Sequence, residues 1–180
     1  MALLKVLTFP NPILAQKSQP VTEFGKDLET LANDMLETMY AESGIGLAAP
    51  QVGHLRRMVV VDVGLEPEEE PAEGQEPAPR QKDPHVYVNP EIIQASGETT
   101  TEEGCLSVTE FTAQVKRAQQ VVLKYQDLKG KEHQVALEGL HAVCVQHELD
   151  HLQGKLFIDH LPPLKRQMVR KRLAKLAQSA

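Results

Sequence analysis

The sequence predicts an α+β fold, with largely antiparallel β-sheets packed around a central helix, an amphipathic helix near the N-terminus and another helix at the C-terminus. The β-like segments follow one another in the middle of the chain, whereas a doubly wound sheet would alternate strands with helices. The 180 residues, 41% of them hydrophobic, suffice for one core and are too few for two. We therefore expect a single domain over residues 1–180.

The first helix is predicted over residues 26–41. Four apolar side chains recur there at helical spacing: Leu28, Leu31, Met35 and Met39. Thr22 or Glu23 is placed to begin this helix. Because its polar residues lie on the other side, we expect the helix to pack on the core with one face.

A loop, a strand and an insertion are predicted next. Residues 44–53 are too rich in glycine for regular structure. Residues 58–63 form an apolar run that is typical of a buried strand. The segment 64–84 holds five of the 12 prolines, many glutamates and almost no apolar residue. Because burial cannot offset its ordering entropy, we expect a mobile acidic insertion at the surface.

Four further segments favour strands: residues 85–93, 113–117, 119–126 and 132–137. Residues 127–130 begin with aspartate and end with glycine, which predicts a hairpin turn between the last two strands. Strands joined by so short a turn pair antiparallel. The sheet is therefore expected to be largely antiparallel.

Two more helices are predicted over residues 139–153 and 163–177, the first closed by Gly154 and the second opened by Pro162 and Pro163. No segment approaches the ~20 apolar residues that span a bilayer. The start of the sequence lacks the features of a signal or transit peptide. A cytoplasmic protein is expected, with no membrane partner.

The strongest chemical signal is an H-E-x-x-H pattern at residues 147–151, inside the helix predicted over residues 139–153. The spacing places His147 and His151 on one helix face, about 40° apart, so both imidazoles can bind one metal ion. Glu148 lies beside that face, where it is poorly placed as a ligand and well placed as a general base and acid. Chance matches to this pattern are common, so a third ligand is needed to support the interpretation.

Cys144 is one candidate for the third ligand, because it stands three residues before His147 on a similar face. It also stands seven residues before His151, which is about 10.5 Å along a helix axis. One ion with bonds of about 2.0 to 2.3 Å cannot readily hold all three side chains from one straight helix. Cys144 is better interpreted as a pocket or core residue.

Cys105 is the better candidate. It follows Gly104, which permits a close approach of the backbone just before the thiol. Taken alone, it would be interpreted as a small buried hydrophobic residue. A zinc protease would instead take its third ligand downstream of the helix, where Asp159 and His160 are available. His160 is more typical of a solvent-facing loop.

Three segments taken together resemble the peptide deformylase family: residues 44–51 (GIGLAAPQ), 103–107 (EGCLS) and 146–151 (QHELDH). Each is weak alone, but the three in this order and spacing are highly specific. The similarity covers nearly the whole chain apart from the acidic insertion. It implies an enzyme that removes the N-formyl group from the initiator methionine of nascent polypeptides and releases formate.

The resemblance also implies a metal site. In the family a cysteine and two histidines hold the ion, which correspond here to Cys105, His147 and His151, and Glu148 is the acid/base. The implied native ion is Fe(II), one per chain, for which nickel, cobalt or zinc could substitute. The ligands alone do not select among these metals, and intrinsic affinity would rank zinc above ferrous iron.

Further residues are assigned by the same resemblance. The Gln51 amide and the backbone N–H of Leu106 would stabilise the oxyanion. The nascent peptide would bind as an added strand. Its backbone would be bracketed by residues Ile45, Gly46, Glu103 and Gly104. The methionine side chain would enter a pocket for which the candidates are Ile45, Leu140, Val143 and Cys144, although the last three could equally be plain helix core.

The C-terminal helix is strongly basic, with six cations and no acids among residues 165–180. We expect it to pack inward through Leu164, Met168, Leu173 and Leu176. A solvated face is the simplest interpretation, but the resemblance suggests contact with ribosomal RNA or protein, and no DNA partner is expected. Two rival functions are kept open: a metalloendopeptidase using the same H-E-x-x-H helix, and a catalytically silent, ribosome-associated member of the family.

Overall fold

The computed structural model describes residues 2–65 and 70–179, and it confirms the α+β class. The described residues contain three α-helices: α1 (Lys26–Ala41), α2 (Gly139–Leu152) and α3 (Pro163–Gln178). They contain seven strands: β1 (Gly46–Ala48), β2 (Met58–Val61), β3 (His85–Ser96), β4 (Thr99–Cys105), β5 (Val108–Arg117), β6 (Gln120–Gln126) and β7 (Glu132–Glu138). No helix in this part of the chain is long and apolar enough to cross a membrane.

The strands form two separate antiparallel sheets. One has five strands in the order β1-β2-β3-β6-β7, and the other is the β4-β5 pair. As predicted, a turn at residues 127–130 joins β6 to β7, where the Gly130 amide donates to the Asp127 carbonyl. Strands β1 and β4 each pair on one side only among the described residues, so each leaves a free edge.

Strand β2 is enclosed by α1 on one face of the five-stranded sheet and by α2 on the other. Met58 and Val60 belong to the apolar cluster beneath α1, and Val59 and Val61 belong to the cluster beneath α2. All four side chains are fully buried. A strand covered on both faces needs a continuous apolar run rather than an alternating one, and this explains the sequence of β2.

The loop predicted over residues 44–53 was wrong in part. Residues Gly46–Ala48 form β1, and Ala49–Val52 form a 3₁₀ turn. The glycines disfavour regular structure in this segment, but the pairing of Leu47 with Val60 on the apolar strand β2 makes it a strand. Helix α1 is capped by Gly25, so neither Thr22 nor Glu23 begins it.

A second correction concerns β4 and β5. The sequence predicted a strand only over residues 113–117, whereas β5 begins at Val108 and β4 was not predicted at all. Residues 99–104 are mostly threonine, glutamate and glycine, which carry no apolar alternation. The segment is a strand because it pairs with β5, for example Thr101 with Val115.

The packing predicted for the C-terminal helix was also largely wrong. Val169 and Leu173, four residues apart, are the buried residues of α3. Leu164 and Met168 lie on an adjacent face and are 73% and 65% exposed, and Leu176 is also exposed. The helix therefore contacts the body through a narrow stripe.

The predicted acidic insertion lies partly outside the described residues, because residues 66–69 are not among them. Residues 70–82 are exposed and form no helix or strand beyond a single bridge between Leu65 and Gln81. The Asp62 carboxylate accepts hydrogen bonds from the amides of Gly64 and Asp83. These bonds join the two ends of the insertion at its base, while its mobility stays a prediction.

The N-terminal segment, here called the strap (residues 2–18), crosses several of the elements above. Its backbone amides donate to distant acceptors: Ala2 to Asp34, Leu4 to Thr38, Leu7 to the Gln51 carbonyl, Phe9 to the Ser107 carbonyl and Ser18 to the Leu152 carbonyl. The strap thus ties together α1, the turn after β1, the turn after β4 and the end of α2.

Candidate active site

The three sequence motifs, far apart in the chain, meet in one groove. One wall is the loop leading into β1, the opposite wall is β4 with the turn after it, and the floor is α2. The cavity has a volume of about 390 Å³. Residues of all three motifs line it, among them Gln51, Cys105 and Glu148.

A cysteine and two histidines form a candidate metal centre at the bottom of this groove. Ligand atoms of Cys105, His147 and His151 all lie within 4.8 Å of one another. The Cys105 Sγ is 3.4 Å from the His151 Nε2. Both histidines are buried and the cysteine is half-buried. One thiol and two imidazoles are a donor set suited to a transition-metal ion.

The His147 ring is oriented by Glu103. The Nδ1 of His147 is 2.8 Å from the Glu103 Oε1, and Arg117 donates to both oxygens of the same carboxylate. Burial acts to raise the pKa of Glu103, but the hydrogen bonds from Arg117 and His147 outweigh it and bring the pKa down to about 2. An ionised Glu103 keeps the proton on Nδ1, which leaves the Nε2 lone pair available to a metal ion.

The electrostatics of the two histidines differ. Burial is the main cause that holds the pKa of His151 well below its usual range, and the electrostatic effects of His147 and Arg117 act in the same direction. Burial also opposes a charge on His147, but Cys105, Glu103 and Glu148 outweigh it and raise its pKa. Groups that favour a proton at this place also favour a metal cation there.

Glu148 is buried beside the candidate metal ligands and lines the groove. Its Oε2 has no hydrogen-bond partner among the described residues. Burial is the main cause that raises its pKa to about 7. A carboxyl group that is free of partners and poised near neutral pH is suited to accept and return a proton.

Gln51 is fixed by three hydrogen bonds. Its Oε1 accepts from the Ala48 amide, so the NH₂ group is directed away from β1. The Nε2 lies 3.1 Å from the Ser107 Oγ and 3.5 Å from the Cys105 Sγ. A donor held this close to the candidate metal centre can stabilise negative charge that develops there.

Comparison with known proteins accounts for this arrangement. The family model described as polypeptide deformylase matches residues 3–167. The chain belongs to the polypeptide deformylase family.

Several members of the deformylase family resemble the chain over its full length. Peptide deformylase 1 of Shewanella oneidensis is 47% identical over 178 residues, which are 99% of this chain and 98% of that protein. Peptide deformylase of Erythrobacter litoralis is 48% identical over 194 residues, covering 100% of both. A crystal structure of a peptide deformylase from Legionella pneumophila has a TM-score of 0.82 at 43% identity, covering 98% of this chain and 96% of that one.

The structure places the predicted site residues of this deformylase together. All but His151 line the groove, and His151 lies below it next to Cys105. Val143 and Cys144 are buried in the floor, and Ile45 and Leu140 are exposed at the rim. His160, the rejected alternative ligand, is directed instead at Asp150. The individual roles stay predictions.

Two residues near the metal centre were not given a role from the sequence. Arg117 is buried at the end of β5, and Asp150 accepts from its NH1 at 2.7 Å. Arginine is almost never buried without a partner, so a buried arginine in a strand indicates that an anionic side chain lies beside it. From the sequence alone, Arg117 cannot be distinguished from an exposed cation of a strand. Asp150 occupies one of the variable positions of H-E-x-x-H.

Gly46 is expected to be intolerant of any side chain. A Cβ added there would lie 2.6 Å from the Glu148 Oε1 and 2.8 Å from the Cys144 Sγ. Gly46→Ala should therefore displace the Glu148 carboxylate and lower kcat/KM for a formyl-methionyl peptide by about 100-fold, the cost of a misplacement of about 1 Å. Gly25→Ala is the matched control, because a Cβ there meets nothing within 4 Å. Equal activity of the two variants would contradict the expected clash.

Proposed function

We propose that this chain is a metal-dependent hydrolase that removes the N-formyl group from the N-terminal methionine of nascent polypeptides and releases formate. The observation that carries the proposal is the convergence of Cys105, His147 and His151 with Glu148 and Gln51 in one groove. This set supplies metal ligands, a proton acceptor and an oxyanion donor to the same small volume. The family membership supports the same activity.

The donor set fits a metal ion, because the half-buried thiol of Cys105 converges with the buried imidazoles of His147 and His151, and Glu103 orients His147. A bound divalent ion supplies a nucleophile from water at neutral pH and polarises the carbonyl group under attack. We propose Fe(II) as the native ion, one per chain, with nickel, cobalt or zinc able to substitute. Elemental analysis of protein purified without oxygen tests this: iron at one per chain is expected, and zinc in its place would contradict it.

The protein groups divide the remaining work. Glu148 takes a proton from the attacking water and delivers it to the methionine nitrogen as the carbon–nitrogen bond breaks. The Gln51 Nε2 and the Leu106 N–H donate to the oxygen of the formyl group as it becomes negative. The products are formate and a free N-terminal amine.

The free strand edges on the two walls suit an extended peptide. Strand β1 with the preceding Ile45 borders one side of the groove, and the end of β4 borders the other. A peptide lying between them can pair with both edges as an added strand. Its methionine side chain would reach the α2 floor at Val143 and Cys144, with Leu140 and Ile45 at the rim.

The function is tested by formate release from a formyl-Met tripeptide, using protein loaded anaerobically with Fe(II) or nickel. Turnover is expected with the formylated peptide. An unformylated peptide of the same sequence should not be cleaved at any internal amide, and such cleavage would favour a metalloendopeptidase. A protein that binds metal and ribosomes without releasing formate would be a catalytically silent family member.

We also propose that α3 contacts the ribosome. The helix exposes Leu164 and Met168, and its six cations are accompanied by no acidic residue. Among these cations, Arg170 is paired with Asp159. An exposed apolar pair surrounded by cations suits a surface made of RNA and protein.

This contact is tested by changing four exposed lysines and arginines of α3 to glutamine, namely Lys165, Lys171, Arg172 and Lys175. Val169 and Leu173 stay in place, so the helix should remain packed. The magnitude of the slope of log affinity for ribosomes against log salt should fall by up to about 3.6, at roughly 0.7 to 0.9 per lost phosphate contact. Changing four exposed lysines elsewhere should have no such effect: Lys17, Lys26, Lys129 and Lys131. Equal ribosome affinity of both variants would contradict the contact.

A further inference from the structure

The 3₁₀ turn Phe157–His160, between α2 and α3, carries a histidine that the reaction described above does not use. The His160 side chain is 38% exposed, and its Nε2 is 2.7 Å from the Asp150 Oδ2. The same Nε2 lies 3.3 Å from the Arg117 NH1. The shorter distance and the anionic acceptor assign the Nε2 proton to Asp150, because a charge-assisted hydrogen bond is the stronger of the two.

The Asp150 Oδ2 is shared. It also accepts from the Arg117 NH1 at 2.7 Å, so His160 and Arg117 meet on one oxygen. Arg117 uses its other nitrogens, Nε and NH2, to hold both oxygens of Glu103 at 2.8 Å. The guanidinium group is planar and rigid, and the position of Asp150 therefore fixes the plane in which Glu103 is held.

Glu103 in turn fixes the metal ligand His147, whose Nδ1 is 2.8 Å away. Four consecutive hydrogen bonds thus connect a solvent-exposed histidine to a buried imidazole. Arg117 and Glu103 have only 4% and 7% of their side chains exposed, so water does not substitute readily for a missing partner.

We propose that His160 is a positioning residue for the metal centre, acting on His147 through Asp150, Arg117 and Glu103. Without the His160 donor, Asp150 loses one of the two groups that hold it in position. The orientation of Arg117, and of the Glu103 carboxylate bound to it, is then less restricted. The His147 imidazole then samples more orientations, and the ion is bound less tightly. This inference rests on the metal site of the proposed function, but it does not require that formate be released.

The test compares Co(II) affinity, measured by competition with a chromophoric chelator, and the visible spectrum of the Co(II) protein. His160→Leu removes the donor and should weaken Co(II) binding by about 10-fold, the low end of the range for outer-shell partners of a metal ligand. Its Co(II) bands should also shift or broaden. His160→Gln places an amide donor near the former Nε2 and should restore both the affinity and the spectrum.

The chain offers a matched control in a second histidine–aspartate pair. The His133 Nε2 is 2.7 Å from the Asp127 Oδ2, both side chains are 36% exposed, and the pair lies on the β6-β7 hairpin away from the groove. His133→Leu should leave Co(II) affinity and spectrum unchanged. The proposal is overturned if His160→Leu matches the parent in both, if His133→Leu loses as much, or if His160→Gln behaves like His160→Leu. Failure of the deformylase function would appear separately, as a parent protein that binds Co(II) normally but releases no formate.

Discussion

Replacing Glu148 with glutamine is expected to lower kcat for formate release by about 10²- to 10⁴-fold, the usual contribution of a positioned acid/base group. The substitution keeps the size of the side chain and removes its ability to take up and return a proton. Because Glu148 makes no ligand contact and its Oε2 has no partner in the described residues, the metal centre should persist. Metal content should stay at one ion per chain.

Stopped-time formate assays and elemental analysis on the same samples check this prediction. Glu148→Ala is a useful second variant. The carboxamide of Glu148→Gln could still hold a water molecule in place, and alanine has no such group. Retention of near-parental kcat in both variants would mean that another group moves the proton. Loss of the ion in both would instead show that Glu148 is needed to hold the metal, contrary to the role argued here.

Replacing Cys105 with alanine is expected to weaken metal binding strongly and to lower activity where the metal is limiting. The two remaining proposed ligands, His147 and His151, come from one helix and would fill only two positions of a four-ligand site. Zinc sites with four ligands bind the ion with a total free energy of about 10 to 16 kcal/mol. If the four ligands contribute equally, the loss of one should weaken binding by about 10²- to 10³-fold. The measurement is the metal dissociation constant of the apoprotein.

Cys144→Ala is the control for this substitution. Cys144 is the second cysteine of the chain, it is buried within the same groove, and its Sγ lies 3.6 Å from the Ile45 carbonyl rather than among the ligand atoms. Its removal should leave metal affinity within about twofold. If Cys144→Ala lost the ion and Cys105→Ala kept it, the ligand assignment would have to be reversed.

Helix α2 is the part of the candidate site that the sequence predicts best, because the relation between His147 and His151 is local. Helical spacing alone brings the two imidazoles onto one face. The same local geometry disfavours Cys144 as a ligand to an ion held by both histidines. The third proposed ligand is different, since Cys105 reaches the candidate centre only through the pairing of β4 with β5, and residues 99–104 carry no pattern that predicts this strand.

Residues that act through long-range contacts are the ones that sequence reasoning could not place. Arg117 acquires its significance from Glu103, 14 positions away, and from Asp150, 33 positions away. Similarly, the choice of Val169 and Leu173 as the buried residues of α3 depends on where the 3₁₀ turn before it directs the helix. Apolar periodicity in so basic a helix did not distinguish the buried stripe from the exposed one.

The hydrogen bonds of the strap can form only late in the synthesis of the chain. Its amides are synthesised well before their acceptors at Gln51, Ser107 and Leu152. Contacts across such separations form slowly, after the intervening chain is available. During its own translation this enzyme is therefore expected to lack a finished catalytic centre until residues near 152 have left the ribosome. A protein proposed to process other nascent chains is thus expected to be inactive while it is itself one of them.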